Sequence, residues 1–420
     1  MKKCKLGDLF EIKQGFAFKS EKYLSEGEYV LCTLGNISAD NNFKYDLSKA
    51  NYYPDEFSHS FILDEGDLIM PLTEQAVGLF GNTAFVPHTD GFKFVLNQRV
   101  GKVLPKHGVA DKYYLHYLLS TELVRNQIEA TATGTSQRNT SPDKIYDVTV
   151  WVPDIEKQRK IGKTLFDLER KVNCNNHIND NLQQMAKTIY DYWFTQFDFP
   201  NEDGKPYRSS GGQMVWNEQL KREIPVGWSS ASIVKNPLST VIKPGVDVFD
   251  RKEYLATAEV NGTSISTGSV VEYATRESRA NMQPTVNSVW FAKMKNSVKH
   301  LYLNTEMQPL IDSTILSTGF CGIQCTELSF EFIASFVESS YFETIKDILA
   351  HGATQEAVNN EDMEAIRFAV PTDNILMKYH ETTRGMYAQI SKNICENRKL
   401  TALRDWLLPM LMNGQATVNN

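Results

Sequence analysis

The chain of 420 residues has a formal net charge of −7, with 41% hydrophobic and 23% charged residues, which is typical of a folded globular protein of two or three domains. No apolar run approaches the ~20 residues that a membrane span needs, and no apolar export core follows the N-terminal lysines, so we expect a cytoplasmic protein without membrane contact. The acidic balance weakens the case for a nucleic-acid-binding protein but does not exclude it, because local basic faces decide contact.

Six cysteines are scattered along the chain, without a Cys-x-x-Cys pair or a nearby histidine partner. This spacing argues against a zinc site. Cys321 and Cys325 lie in the apolar run FCGIQC, where we expect buried, reduced thiols. We expect neither a metal nor a cofactor in this chain.

The first predicted domain, residues 1–153, mixes short β-rich runs with a helical stretch. The runs GDLIM (66–70) and FKFVL (92–96) predict strands, and KYYLHYLLSTELVRNQI (112–128) predicts helix. The domain closes with GTSQRNTSPDKIYDVTVWVP, residues 134–153. The pattern predicts an α+β domain.

A long helix is predicted over residues 154–195. Its seam positions alternate steps of four and three for more than four heptads, which is the spacing of a coiled coil. Asn175 and Asn179 lie within this seam. The seam consists of Ile161, Leu165, Leu168, Val172, Asn175, Asn179, Leu182, Ala186, Ile189 and Trp193.

The remainder of the chain follows the same plan. A connector, residues 196–228, is rich in Gly, Pro, Asp and Ser and separates the two halves. A second predicted α+β domain covers residues 229–371, and a second long helix is predicted over 372–413.

The motif that closes the first domain recurs as GATQEAVNNEDMEAIRFAVP, residues 352–371. The two copies align without a gap, so that one constant offset takes Gly134 to Gly352 and Pro153 to Pro371. A repeat of this length that occurs only twice indicates a duplicated domain.

The seam asparagines recur in the second helix as Asn393 and Asn397. In an antiparallel pair, Asn175 would face Asn397 and Asn179 would face Asn393, whereas a parallel pair would stack Asn175 on Asn393. Polar residues in an apolar seam commonly fix its register. The alternative is two separate amphipathic helices with solvent-exposed asparagines.

The order of domain, helix, connector, similar domain and helix resembles the specificity subunit of type I restriction-modification systems. The resemblance covers essentially the whole chain. It rests on LGDLFEIKQG (6–15), the GTSQ and GATQ loops running into Val-Pro, the helix after each loop, and YDYWFTQFDFPNEDGKPYRSSGG (190–212). One departure is that Glu356 replaces Arg138 in the second copy.

The resemblance implies two target recognition domains related by a pseudo-two-fold axis, each reading one half of a split, asymmetric double-stranded DNA target. The helices, as an antiparallel coiled coil, would set the spacing and dock two modification subunits. Those methyltransferase subunits would carry S-adenosylmethionine and methylate adenine, and a restriction subunit can join them. About 33 heptad residues at ~1.5 Å each would span roughly 50 Å, compared with ~34–36 Å for one turn of DNA.

Candidate DNA-binding residues are amide, guanidinium, hydroxyl and ammonium side chains, because these groups suit base edges and phosphates. The alternative for the loops is structural: Gly134 and Gly352 allow a tight turn, and neighbouring hydroxyls cap a helix near Pro142. The candidates are Gln75, Asn97, Arg99, Thr135, Ser136, Gln137, Arg138, Asn139 and Lys144 in the first domain, and Lys293, Lys295, Lys299, Thr354, Gln355 and Asn359 in the second.

Catalysis by the chain itself is not expected. Asp154 and Glu169 match a loose metal-nuclease pattern, but Glu169 lies on a long helix, whereas that chemistry needs carboxylates converging on Mg²⁺. No methyltransferase motif is present, which also argues against a self-sufficient restriction enzyme. The competing hypothesis is a stand-alone coiled-coil interaction scaffold without DNA-reading activity, which the net acidity would suit.

Overall fold

The computed structural model describes residues 1–74, 78–134, 137–352 and 356–418. The chain forms two compact units, one of residues 1–170 with 403–420 and the other of residues 171–402. Because this division cuts both long helices, the domain boundaries predicted from the sequence remain predictions.

The first unit contains short strands and helices, as the mixed pattern predicts. A four-stranded sheet has the order β2-β9-β5-β7, and a three-stranded sheet, β4-β3-β8, contains the parallel pair β3–β8. The strands are β1 Lys2–Lys5, β2 Phe10–Gln14, β3 Tyr29–Cys32, β4 Tyr52–Tyr53, β5 Leu68–Pro71, β6 Thr73–Glu74, β7 Ala84–Phe85, β8 Lys93–Leu96, β9 Val100–Pro105, β10 Arg138–Asn139 and β11 Thr149–Val152; the helices are α1 Lys112–Ser120, α2 Glu122–Thr131, α3 Pro142–Tyr146 and the start of α4 Ile155–Tyr190.

The predicted helix over 112–128 is interrupted at Thr121, which has extended backbone angles. Asp111 begins α1 by accepting hydrogen bonds from the backbone N–H groups of Tyr113 and Tyr114, both at 3.0 Å. The apolar face of α1 packs with Phe10 and Met70 in the main core of this unit.

The second unit repeats the two-sheet plan. Its sheets have the orders β15-β24-β21-β22 and β19-β16-β23-β20, and β16–β23 is again a parallel pair. The strands are β12 Met214–Asn217, β13 Arg222–Pro225, β14 Ser229–Ser232, β15 Ser239–Val241, β16 Arg251–Leu255, β17 Val260–Asn261, β18 Ser264–Ile265, β19 Ser269–Glu272, β20 Ala280–Met282, β21 Ser288–Ala292, β22 His300–Leu303, β23 Thr314–Ser317, β24 Phe320–Cys325 and β25 Arg367–Val370; the helices are α5 Gln308–Ser313, α6 Phe330–Glu338, α7 Ser340–Leu349 and α8 Asp373–Met412.

The two long helices are antiparallel, so the parallel alternative is wrong. Within the second unit, the Nδ2 atom of Asn175 lies 2.9 Å from Oδ1 of Asn397, and Nδ2 of Asn393 lies 2.8 Å from Oδ1 of Asn179. Asn175 is fully buried, which excludes the alternative of solvent-exposed asparagines. The pairing matches the arrangement predicted for antiparallel helices.

The connector between α4 and β14 is anchored by aromatic side chains. A π-helical turn, Asp191–Thr195, follows α4, and β12 and β13 form an antiparallel hairpin. Phe199 stacks on Trp228 with ring centroids 5.2 Å apart, and both side chains are buried. These rings, with Phe197 and Ile224, belong to the main hydrophobic core of the second unit and anchor the connector in it.

Candidate nucleic-acid interface

Three backbone segments of the first unit meet at the end of strand β5. The N–H of Leu72 donates to the carbonyl of Arg99 (2.9 Å), and the N–H of Thr140 donates to the carbonyl of Leu72 (3.1 Å). Strand β6 then pairs with β10, so Glu74 faces Arg138. The candidate Arg99 therefore lies close to Arg138 and Asn139, which are far from it in sequence. These three residues lie along one edge of the sheet, the edge at which β5 ends.

The glycine that opens the loop has the backbone conformation expected for a tight turn. Gly134 has φ of +110°, and a Cβ atom added there would lie 2.2 Å from the carbonyl oxygen of Gln137. Any side chain would clash with backbone, which explains why glycine is required. Helix α3 begins at Pro142, and in the structural alternative for this loop Ser141 is not the capping hydroxyl, because its side chain makes no capping hydrogen bond.

Arg138 is held by protein groups. Its Nη1 atom lies 2.6 Å from Oε1 of Glu74, a side chain with 0% exposure. Its Nη2 atom donates to the carbonyl of Glu129 at 3.0 Å. The other oxygen of Glu74 accepts from the N–H groups of Leu79 (3.0 Å) and Phe80 (3.2 Å), so one carboxylate fixes two chain segments.

The other described candidates of the first domain differ in exposure. Arg99, Asn139 and Lys144 are exposed, Gln137 is half-buried and Asn97 is buried. The Oδ1 atom of Asn139 accepts from Thr73 at 2.8 Å, and the ammonium of Lys144 donates to the carbonyl of Thr131 at 2.9 Å. The candidates Gln75, Thr135, Ser136, Thr354 and Gln355 lie outside the described residues.

The second unit has the same backbone arrangement at the end of β21. The N–H of Lys293 donates to the carbonyl of Gly319 (3.0 Å), and the N–H of Val358 donates to the carbonyl of Lys293 (3.0 Å). The N–H of Lys295 donates to the carbonyl of Glu356 at 3.0 Å. The bonds at Lys293 and Val358 repeat, one for one, those at Leu72 and Thr140.

Side-chain partners of the second-domain candidates are also protein groups. The ammonium of Lys295 pairs with the carboxylate of Glu356 at 2.9 Å, and that of Lys299 bonds to the carbonyl of Thr257. The side chain of Asn359 accepts from the N–H groups of Glu361 (2.9 Å) and Asp362 (2.8 Å). Lys293 is half-buried.

The sequence comparison at a constant offset missed one feature, the reversal of charge between the Glu74–Arg138 and Lys295–Glu356 pairs. The offset that takes Gly134 to Gly352 also takes Arg138 to Glu356, but it takes Glu74 to Ala292 and not to its structural equivalent, Lys295. The replacement of Arg138 by Glu356 was the available signal, since the exchange of a cation for an anion points to a partner whose charge has also changed. The side chains of Lys295 and Glu356 are 36% and 48% exposed, so this pair is less buried than Glu74–Arg138.

Glu169 has a structural environment. Its carboxylate accepts a hydrogen bond from the hydroxyl of Tyr117 (2.8 Å) and lies 3.7 Å from Nε2 of His116. Burial acts to raise the pKa of Glu169, but these two neighbours outweigh it and lower the pKa. Within the described part of the chain, no group of three or more His, Cys, Asp or Glu side chains is placed to hold a metal ion.

The closest pair of cysteines has the predicted character. Cys321 and Cys325 are free and buried, and burial raises the pKa of Cys321 to about 12, which keeps the thiol protonated. No helix among the described residues is long and apolar enough to cross a membrane.

Comparisons with known proteins agree with this architecture. Residues 1–184 match the family model for the type I restriction modification DNA specificity domain. The chain is 25% identical over 343 residues to the type I restriction enzyme MjaIX specificity subunit of Methanocaldococcus jannaschii, covering 77% of this chain and 73% of that protein. The chain is therefore similar to the specificity subunits of type I restriction-modification systems.

A second relative is the HindI specificity subunit of Haemophilus influenzae, 22% identical over 328 residues, covering 65% of this chain and 70% of that protein. A solved type I S subunit from M. genitalium shares the fold, with a TM-score of 0.57 and 14% identity over 98% of this chain and 95% of its own. Like the specificity subunits to which it is similar, this chain is non-catalytic. The predicted fold class is confirmed.

Proposed function

We propose that the two recognition domains of this specificity subunit each read one half of a bipartite, asymmetric double-stranded DNA target. The observation that carries the proposal is the repeated edge. In each unit, the segment after the glycine loop is hydrogen-bonded to the end of the central strand, at Leu72 and Thr140 and again at Lys293 and Val358. Two edges of the same backbone plan with different side chains suit two half-sites of different sequence.

The antiparallel helices would set the gap between the half-sites. Their seam contains the two asparagine layers, and Asn397 also donates to Asn176 at 2.8 Å. Amide groups that bond only in one alignment favour a single register over a slipped one. A fixed register would give a fixed gap, and the roles of Asn175, Asn179, Asn393 and Asn397 in that register are part of the proposal.

Chemistry would come from partners. The chain is non-catalytic, so methylation of adenine requires modification subunits, and these would carry S-adenosylmethionine. We propose that the paired helices dock two such subunits, and that a restriction subunit can join them in the cytoplasm. The net charge of −7 suits the competing scaffold hypothesis, but the repeated edges and the match to the specificity domain both favour DNA recognition.

The test is to co-express the chain with an adenine methyltransferase subunit that forms a stable complex with it and to map methylated adenines in the host DNA by single-molecule sequencing. The expected result is one split motif with two unlike half-sites and a fixed gap. Absence of methylation that depends on this chain, despite a stable complex, would contradict the proposal and favour a scaffold.

A further inference from the structure

The carboxylate of Glu74 lies at the junction of two segments in the first unit. It accepts from the backbone of Leu79 and Phe80 and pairs with Arg138, and its own side chain is completely buried. A buried carboxylate without a cation is strongly destabilising. Glu74 therefore keeps the guanidinium of Arg138, and with it residues 138–140, on the edge of the sheet.

Arg138 is engaged mainly by groups of the protein. One nitrogen bonds to Glu74 and another to the carbonyl of Glu129, while the guanidinium carbon lies 5.8 Å from the centroid of the Phe80 ring. A phosphate could use only the remaining N–H donors of a side chain that is 24% exposed and whose charge is already balanced by Glu74. The cation is thus used inside the protein, although the residue type alone suggests DNA contact.

The second unit reaches the same backbone arrangement with the charges exchanged. Lys295 stands on the strand side and Glu356 on the loop side, 2.9 Å apart, and the N–H of Lys295 donates to the carbonyl of Glu356. If position 138 and its equivalent 356 served to bind phosphate, a carboxylate at 356 would repel it. What the two units share is a neutralised pair that bridges the strand and the segment after the loop.

We propose that Glu74–Arg138 and Lys295–Glu356 are positioning pairs, which align residues 138–140 and 356–358 for recognition without contacting DNA. This inference rests on the proposed DNA-reading function. A recognition surface must be held within about 0.5 Å of its productive geometry by supporting contacts. Arg138 and Lys295 would therefore affect half-site recognition through the geometry of the edge.

The first test compares Arg138→Gln with the matched control Arg99→Gln, which removes the same charge from an exposed side chain of the same edge. DNA affinity of the complex with its methyltransferase is measured against salt concentration, using the mapped target. A phosphate contact contributes about 0.9 to the slope of log K against log salt. Arg138→Gln is expected to weaken binding about tenfold with an unchanged slope. Arg99→Gln is expected to make the negative slope less steep. A slope less steep by about 0.9 for Arg138→Gln would overturn the inference.

The second test asks whether the partner rescues the loss. Arg138→Gln should lower the thermal midpoint of the complex by about 5 °C or more, because Glu74 is left buried and unpaired. The double variant Glu74→Gln with Arg138→Gln should recover most of that loss. A double variant no more stable than Arg138→Gln would contradict a positioning pair.

The third test uses the charge reversal in the second unit. Lys295→Glu should reduce methylation at the half-site read by this unit, because two carboxylates then face each other. Adding Glu356→Lys should restore methylation if only the pair matters. Continued loss in the double variant would mean that Lys295 contacts DNA. If the unaltered complex shows no sequence preference, the proposed function fails by itself, and the thermal midpoints still decide whether the pair holds its segment.

Discussion

The two compact units share a backbone plan but differ in the polar groups that hold it. At the edge after β5 and β21 the hydrogen bonds are the same, whereas Glu74–Arg138 becomes Lys295–Glu356. Each unit holds a complementary pair of charges at this position, and the identity of each member differs. The two units share the backbone hydrogen bonds at this edge and differ in the side chains that it presents.

The same contrast occurs where each long helix packs on its domain. In the first unit, Glu169 of α4 accepts a hydrogen bond from Tyr117 of α1. At the equivalent positions of the second unit, Tyr387 of α8 bonds to Ser335 of α6 at 2.7 Å, and Tyr379 bonds to the same hydroxyl. A charged contact in one unit corresponds to a neutral hydroxyl cluster in the other.

The largest expected effect concerns equivalent seam positions in the two helices. Leu165 and Thr383 correspond at the constant offset of the repeat, and both have 0% exposure. Leu165→Ala should lower the free energy of unfolding by about 2–5 kcal/mol, because it leaves a cavity. Thr383→Ala should cost about 1–2 kcal/mol, because it removes one neutral hydrogen bond to the carbonyl of Tyr379 and one buried methyl group. Urea denaturation measures the loss of unfolding free energy for both variants, and amide hydrogen exchange assigns that loss to one unit. Equal losses for the two variants would contradict the expected difference between the units.

A smaller difference is expected for two tyrosine hydroxyls. Tyr117→Phe removes a hydrogen bond to a buried carboxylate and should cost about 1.5–3 kcal/mol. Tyr387→Phe should cost about 1 kcal/mol, since Ser335 keeps its bond to Tyr379. Because the chemical change is the same in both units, each variant is the control for the other. The measurement is the urea midpoint. A larger loss for Tyr387→Phe would show that the neutral cluster is the stronger anchor.

The smallest effect is a pH dependence of opposite sign at two buried glutamates. The pKa of Glu169 is lowered from its ordinary value of 4.5, so its carboxylate stabilises the fold above that pH and this contribution is lost as pH falls through the lowered pKa. Burial raises the pKa of Glu338 despite its hydrogen bond from Tyr302, so its ionisation destabilises the fold as pH rises through the raised pKa.

The two pH trends should therefore have opposite signs and lie on either side of the ordinary glutamate pKa of 4.5. Glu169→Gln should become more destabilising as pH rises toward 4.5 from below and then level off, whereas Glu338→Gln should become less destabilising as pH rises above 4.5. Urea midpoints at several pH values measure both trends. Parallel trends for the two variants would mean that the hydrogen bonds to Glu169 do not outweigh its burial.

Much of the fold could be predicted because local periodicity and repetition in the sequence indicate it. The constant offset that takes Gly134 to Gly352 indicated duplication, and the seam spacing indicated the long helices. The positions of Asn175 and Asn397 left two orientations open, and only the structure decides for the antiparallel one. Periodicity gives the face of a helix but not the direction of its partner.

The details of the candidate site could be predicted only in part. Residue type marked Arg138 and Lys295 as DNA candidates, but type does not show which side chains are already paired within the fold. The equivalence of Glu74 and Lys295 could not be seen in the sequence. The second copy is slightly longer before Lys295, so a constant offset aligns Glu74 with Ala292. Long-range pairing of strands determines such contacts, and local sequence does not encode it.

We propose that the two units recognise separate half-sites and that the paired helices set the gap. The most direct measurement is methylome sequencing of a variant with one heptad inserted between Arg170 and Lys171 and a second between Thr401 and Ala402, insertion points chosen by extending the residue numbering of the Asn175–Asn397 and Asn179–Asn393 layers. We expect the same two half-sites with a gap longer by about three base pairs, since seven residues add about 10 Å of helix. Altered half-sites, or an unchanged gap in a methylating complex, would contradict the proposal.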